Sequence, residues 1–318
     1  MKNKPFHIDG HAIQPGETAR VEVNIARLPS HSNIDITIVV GRAEKPGPVL
    51  LLTGGLHGDE VNGIETVRRI IDREHHLPSR GTVICIPIIN IFGFINFSRE
   101  VPDGKDINRA FPGNKNGSLA SRVAHFMMRE IIPKIDYGID FHTGGASRTN
   151  YPQVRCLLND DANTELAQAF HAPFTLHAKH RPSSLRKTAF QAGKRILVYE
   201  GGESMRFDEL AIEEGINGTL RLMKHLEMKN TAPTPSYENK QIRHSTWIRA
   251  RNSGLFRSKV KCGQYVAKNQ LVGILTDTFG EFKINIKTRT AGYIIGLNNN
   301  PVVLQGDALL HIGVHGGG

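Results

Sequence analysis

Apolar and polar positions change style twice along the chain. Up to about Arg42 they alternate, with Val21 to Ile25 and Ile34 to Val40 reading as strands of an N-terminal β segment, residues 1–42. From Val49 the apolar residues run together. Val49-Leu50-Leu51-Leu52 and Val83-Ile84-Cys85-Ile86 have the look of strands buried on both faces. Tyr137-Gly138-Ile139 and Ile196-Leu197-Val198-Tyr199 are shorter candidates. Between these runs the spacing is helical. Val61, Ile64, Val67 and Ile71 share one face, as do Leu119, Val123, Phe126, Met127 and Ile131 behind a cap at Ser118. Ile212, Ile216 and Leu220 begin a further helix that runs to about Met228. Strands alternating with helices predict an α/β domain with a largely parallel sheet, residues 1–230.

The style changes again at Thr231-Ala232-Pro233-Thr234-Pro235-Ser236, a proline-rich break that we read as a linker, residues 231–241. Beyond it come short strands and glycine turns, which predict a small all-β module at 242–318. A chain of 318 residues is long enough for one large unit and a smaller one.

Chemistry-bearing residues fall where the buried strands end. Thr53-Gly54-Gly55-Leu56-His57-Gly58-Asp59-Glu60 follows the Val49 run and opens the Val61 helix. His57 and Glu60 are three apart, so both side chains can reach one point at a helix start. An imidazole and a carboxylate suit Zn²⁺, which takes three protein ligands and keeps one open position in catalytic sites. Alone, such a pair is weak, because H-x-x-E arises by chance on helix surfaces. Its position strengthens it, since open α/β sheets bind ligands at the carboxyl ends of strands. Asp140-Phe141-His142-Thr143-Gly144-Gly145 supplies His142 at another strand end, with Asp140 placed to orient it. His75, His76, His171, His177 and His180 lack such placement and read as structural or surface residues.

A hydrolase of this kind needs a group to move a proton between the water and the leaving nitrogen. Glu200, in Val198-Tyr199-Glu200-Gly201-Gly202, ends a third apolar strand; Glu203 is its rival. Arg99 and the run Asp106-Ile107-Asn108-Arg109-Ala110-Phe111-Pro112-Gly113 offer groups that grip carboxylates or steady an oxyanion.

These motifs, H-G-D-E, D-I-N-R-A-F-P-G, D-F-H-T-G and Y-E-G-G, resemble in kind and order the succinylglutamate desuccinylase/aspartoacylase family, relatives of the zinc carboxypeptidases. The resemblance runs from about Pro46 to Met228 and continues into the C-terminal module. It implies a carboxypeptidase-like α/β fold with one Zn²⁺ per chain held by His57, Glu60 and His142. It implies Glu200 as general acid/base, Arg99 beside the scissile carbonyl, and Asn108 and Arg109 on a substrate carboxylate. Arg186, in Ser184-Leu185-Arg186-Lys187, matches a further substrate-selecting arginine. Tyr293 is the candidate for a tyrosine that the C-terminal part contributes. The C-terminal module itself looks like a lipoyl- or biotinyl-type barrel-sandwich, but no M-K-M stands there. A lid or an oligomer contact is the expected role.

Composition changes this picture little. The net charge is +10, and the basic stretches Lys179 to Arg195 and Arg243 to Lys261 lack the aromatic interleaving of a base-stacking surface. We therefore read the charge as attraction for a small anionic N-acyl amino acid, not for nucleic acid. No apolar run approaches the ~20 residues that span a bilayer. The basic start, Met1-Lys2-Asn3-Lys4-Pro5, leads into polar residues and not into the apolar stretch of a secretory signal. Three scattered cysteines, Cys85, Cys156 and Cys262, fit a reducing cytoplasm and offer no thiolate metal site. The expected activity is a zinc-dependent deacylase; a peptide-trimming carboxypeptidase and a catalytically silent metal-binding protein are the competing readings.

Overall fold

The buried runs of the sequence become the centre of a mixed sheet. A computed structural model describes residues 4–27 and 30–314; Met1 to Asn3, the start of the basic N-terminus weighed above, lie outside the described residues. A hairpin, β1 (Phe6–Ile8) and β2 (His11–Ile13), precedes the long antiparallel pair β3 (Thr18–Arg27) and β4 (Asn33–Arg42). Then β5 (Val49–Thr53), α1 (Val61–Asp72) and β6 (Thr82–Ile86) form the first parallel unit. After α2 (Ile91–Ile95) and α3 (Leu119–Phe126) come β7 (Tyr137–Gly144), β8 (Arg148–Cys156), α4 (Asp161–Phe170), β9 (Phe174–His177), α5 (Leu185–Gln191), β10 (Arg195–Glu203) and α6 (Glu209–His225). Strands β10, β7, β5 and β6 lie side by side and parallel, flanked by antiparallel β8 and β4.

Period-two alternation serves both faces of this sheet. Leu50 and Leu52 pack with Val67 and Ile70 of α1, Phe170 of α4 and Ile212 and Ile216 of α6. Leu51 and Ile84 face the other way, onto Val123 of α3 and Leu185 of α5. Each such aliphatic side chain contributes about 1.5–3 kcal/mol on full burial, which explains the continuous apolar runs. Ser118 caps α3 as its sequence predicts, its side chain accepting from the Ser121 amide. The helix then departs from expectation. It tightens and widens into a π turn at Met127–Ile131 and a short 3-10 turn at Ile132–Lys134, where Pro133 cannot extend the α ladder.

The C-terminal chain supplies β11 (Lys240–Ile242), β12 (His244–Arg249), β13 (Gly254–Ser258), β14 (Tyr265–Val266), β15 (Leu271–Thr276), β16 (Lys283–Lys287), β17 (Gly292–Asn298), β18 (Val302–Val303) and β19 (Ala308–Val314). Four of these, β16-β15-β13-β18, make an antiparallel sheet over a core that includes Phe256, Val272 and Leu309. The others extend the main sheet: β17 pairs with β8 through Gly296↔Asn150 and Leu297↔Thr149, and β19 and β12 follow. The segment we read as a linker ends by adding β11 to β9. This part of the chain is therefore hydrogen-bonded onto the α/β sheet.

Candidate metal centre and substrate cleft

The loop after β5 must turn sharply to start α1. At Gly58 a Cβ would lie 1.9 Å from the Gly93 carbonyl carbon, so only glycine lets α2 press against this turn. Glu60 is the N-cap of α1 but makes no side-chain cap bond. Its carboxylate points instead into the sheet end. Oε1 lies 2.8 Å from His57 Nδ1, and Oε2 lies 2.7 Å from His142 Nδ1 and accepts from the Thr143 amide at 3.1 Å. The two Nδ1 atoms are 3.2 Å apart. Among the described residues, His57, Glu60 and His142 are the group whose ligating atoms converge, all within 4.8 Å of one another.

That arrangement fits a divalent metal ion. Three ligand-type atoms, two nitrogen and one oxygen, face one point inside a buried pocket, and two imidazole nitrogens facing each other need a shared cation or proton between them. Asp140 stands behind His142 as expected, with Oδ2 2.7 Å from Nε2, while its Oδ1 accepts from Thr53 Oγ1 at 2.8 Å. The electrostatics agree. Burial alone would push the Glu60 carboxyl up, but the His57 and His142 imidazoles hold it well below the usual carboxylate range. Burial would lower both histidines; Glu60, with Asp106 for His57 and Asp140 for His142, outweighs it and raises them.

Around this point lies a cleft of about 790 Å³. Arg99 enters it from the loop after α2. Its Nε and Nη2 hold Asp106 Oδ2 at 3.1 and 2.9 Å, which leaves Nη1 3.4 Å from Glu60 Oε1. Asn108 and Arg109 line the same cleft. Asn108 Oδ1 accepts from the Leu185 amide, which ties the loop to α5, and exposed Arg109 donates Nη1 to the Asn108 carbonyl. Glu200 also lines the cleft, in register with His142 on the neighbouring parallel strand. Glu203, its rival, is not among the lining residues; its nearest cation is Arg206 at 3.8 Å. None of His75, His76, His171, His177 and His180 lines the cleft.

Arg186 reaches the cleft, where its Nη1 and Nη2 donate to the backbone carbonyls of Arg155, Ala178 and Lys179, and burial pushes it down to about 10. It braces the wall with three of its five N–H donors. Tyr293 lies outside the cleft, packed against Phe174 and Tyr265, because the alternation of β17 turns it to the far side. The C-terminal chain contributes Trp247 instead, from the edge strand β12, its ring stacked on His311 with centroids 4.1 Å apart.

Sequence reasoning also missed the partners of Glu200. Arg155 Nη1 donates to Oε1 at 2.9 Å, and Asn150 Nδ2 donates to Oε2 at 2.7 Å. Both come from β8, whose sequence Arg-Thr-Asn-Tyr-Pro-Gln-Val-Arg-Cys gives no strand signal. Pro152 is tolerated because it sits at a bulge against β10, between the stretch of β8 paired with β17 and the stretch paired with β9.

Residues 46–226 match the succinylglutamate desuccinylase/aspartoacylase catalytic domain. The chain is 31% identical over 251 residues to an N-alpha-acetyl-L-2,4-diaminobutyric acid deacetylase of Halomonas elongata, covering 75% of this chain and 73% of that one. A succinylglutamate desuccinylase/aspartoacylase structure from Rhodobacter sphaeroides superposes with a TM-score of 0.83 at 25% identity, over 94% of this chain and 96% of the other. The product-bound ectoine utilization protein of Ruegeria pomeroyi shares the fold, with a TM-score of 0.83 at 22% identity over 99% and 100%. The chain belongs to the succinylglutamate desuccinylase/aspartoacylase family.

Proposed function

We propose, from that membership and from the cleft, that the chain is a zinc-dependent amidohydrolase that removes the acyl group from a small N-acyl amino acid. His57 and His142 through Nδ1, with Glu60 through its carboxylate, are the residues that would hold Zn²⁺. When bound, such an ion supplies a Lewis acid for the carbonyl and lowers the pKa of a water. The chain's own groups do the rest. Glu200 takes the water's proton and passes it to the leaving nitrogen, its two carboxylate oxygens held by Arg155 and Asn150. Arg99, fixed by Asp106, sets a positive charge beside Glu60, where the carbonyl oxygen gains charge. Arg109 and Asn108 face the substrate's carboxylate.

The observation that carries this reading is the register of Glu200 beside His142: base and metal ligand sit on adjacent strand ends in one cleft. A silent binding protein has no use for a carboxylate so held. Trp247, standing in the cleft wall, favours a small substrate over an extended peptide. The cytoplasm is the compartment we assign, consistent with three free cysteines; among the described residues no helix is long and apolar enough to cross a membrane.

The test is a substrate panel for the zinc-loaded protein, read by release of free amine: N-acetyl and N-succinyl amino acids, among them Nα-acetyl-2,4-diaminobutyrate, against dipeptides and tripeptides. Turnover of the first group, with peptides slow or untouched, is the expected result. Peptide cleavage alone would transfer the chain to the carboxypeptidase reading.

A further inference from the structure

Among the described residues five carboxylates line the cleft, and four have their partners. Glu60 is taken by His57, His142 and the Thr143 amide, Asp140 by His142 and Thr53, and Glu200 by Arg155 and Asn150. Glu100 accepts from Ser98 Oγ at 3.3 Å. Asp59 is the exception. Its Oδ1 is sealed from solvent and has no hydrogen-bond partner, while the rest of the side chain lines the cleft. Arg99, a nearby cation, is already committed to Asp106 at 2.9 Å.

Nor does the turn need this side chain. The Asp59 main-chain carbonyl accepts from the Met205 amide at 2.9 Å and the Val61 amide at 3.1 Å, which ties the start of α1 to the loop after β10. An asparagine would brace the turn equally well. What an aspartate adds at this position is a negative charge that no side chain among the described residues neutralises by contact, immediately before Glu60. A carboxylate half-removed from water and held by no side-chain donor is costly, and a cation arriving in the cleft recovers that cost.

We propose that Asp59 is a specificity-determining residue that pairs with a cationic group on the amino-acid part of the substrate, so that Nα-acylated diamino acids are preferred over N-acylated neutral or acidic ones. This rests on the reading of the cleft as an N-acyl amino acid amidohydrolase site. The substrate's carboxylate goes to Arg109 and Asn108, and its side-chain ammonium goes to Asp59. Both ends of a zwitterionic substrate are then held by fixed charges of opposite sign. A side-chain carboxylate would meet Asp59 as a like charge, which discriminates by repulsion as well as by attraction.

The experiment compares three Nα-acetyl substrates of matched length on the zinc-loaded protein: 2,4-diaminobutyrate, its neutral isostere norvaline, and glutamate. The wild type is expected to show a kcat/KM at least about tenfold higher for the diamino substrate than for norvaline. Asp59→Asn is expected to cut the diamino substrate by roughly ten- to a hundred-fold, the span of a charge-assisted hydrogen bond, and norvaline by far less; Asp59→Glu recovers part of the loss. Calorimetric binding of Nα-acetyl-2,4-diaminobutyrate to Glu200→Gln, with and without Asp59→Asn, reads the same pairing without turnover. A wild type that prefers norvaline or glutamate overturns the proposal, whether or not the variant folds. So does an equal loss on all three substrates, which would make Asp59 a structural residue. Asp59-dependent binding without hydrolysis of any substrate would sustain the pairing and instead refute the amidohydrolase reading.

Discussion

Replacing Asp140 by asparagine asks whether the carboxylate behind His142 tunes a metal ligand or merely fills the sheet. Asp140 is 1% exposed and contacts His142 and Thr53 at 2.7 and 2.8 Å. The amide keeps the size and can keep both contacts, but it loses the charge. Outer partners of ligating histidines are typically worth about 10–100-fold in metal affinity. That is ~1.4–2.7 kcal/mol. The sign of the pH dependence follows from His142. Burial would push its imidazole down, yet Asp140 and Glu60 hold it well above its ordinary value. An entering ion must displace that proton, so affinity falls as pH falls through the raised pKa. Asparagine removes one of the two carboxylates that raise the imidazole and so weakens proton competition in the variant. The deficit of the variant is therefore largest at alkaline pH and narrows towards acid. Competition against a chromophoric chelator from about pH 6 to 9, bracketing the ordinary imidazole value upward, measures it. Equal affinities of the two proteins across that range would refute the reasoning and reduce Asp140 to a core acceptor for Thr53.

Other outcomes follow from the same geometry. Glu200→Gln should keep bound metal and lose about 10²–10⁴-fold in kcat, since the amide accepts no proton; metal content and turnover measured on one sample decide it. Arg109→Ala should weaken carboxylate substrates more than their amides, by about 2 kcal/mol in kcat/KM, the lower part of the range for a charged pair because Arg109 is exposed. Arg186→Met should lower the melting temperature without discriminating between those two substrate types, because it strands three carbonyls and no substrate group. Gly63→Ala should cost about 1–3 kcal/mol of stability in a denaturant titration, because its Cβ would lie 2.5 Å from the Phe141 carbonyl oxygen where α1 crosses β7.

How far the sequence speaks depends on how each residue is held. The four parallel strands are legible because burial on both faces demands continuous apolar runs, and His57, Glu60 and His142 are legible because they stand where such runs stop. Strand β8 is not legible. Gln153, fully buried, is satisfied by the carbonyls of Tyr151 and Ile295, a cross-sheet arrangement no local pattern announces. With β8 hidden, Asn150 and Arg155 are hidden too, and so is the grip on Glu200. Arg186 shows a related limit: its motif position fits a clamp, and the three carbonyls that its Nη1 and Nη2 also hold are brought from elsewhere by the fold. Trp247 and Tyr293 show the same limit, because strand register, not residue type, decides which aromatic faces the cleft.

Metal-dependent turnover of an N-acyl amino acid is the decisive measurement. The protein is stripped with a chelator, zinc is returned in increments, and amine release from the best N-acetyl amino acid of the panel is followed at each step. The stripped protein is expected to show no turnover, and activity to rise linearly to saturation at one Zn²⁺ per chain, with His142→Ala abolishing both binding and recovery. Full activity in the stripped protein, or one tightly held zinc with no amide hydrolysed, would contradict zinc-dependent amide hydrolysis.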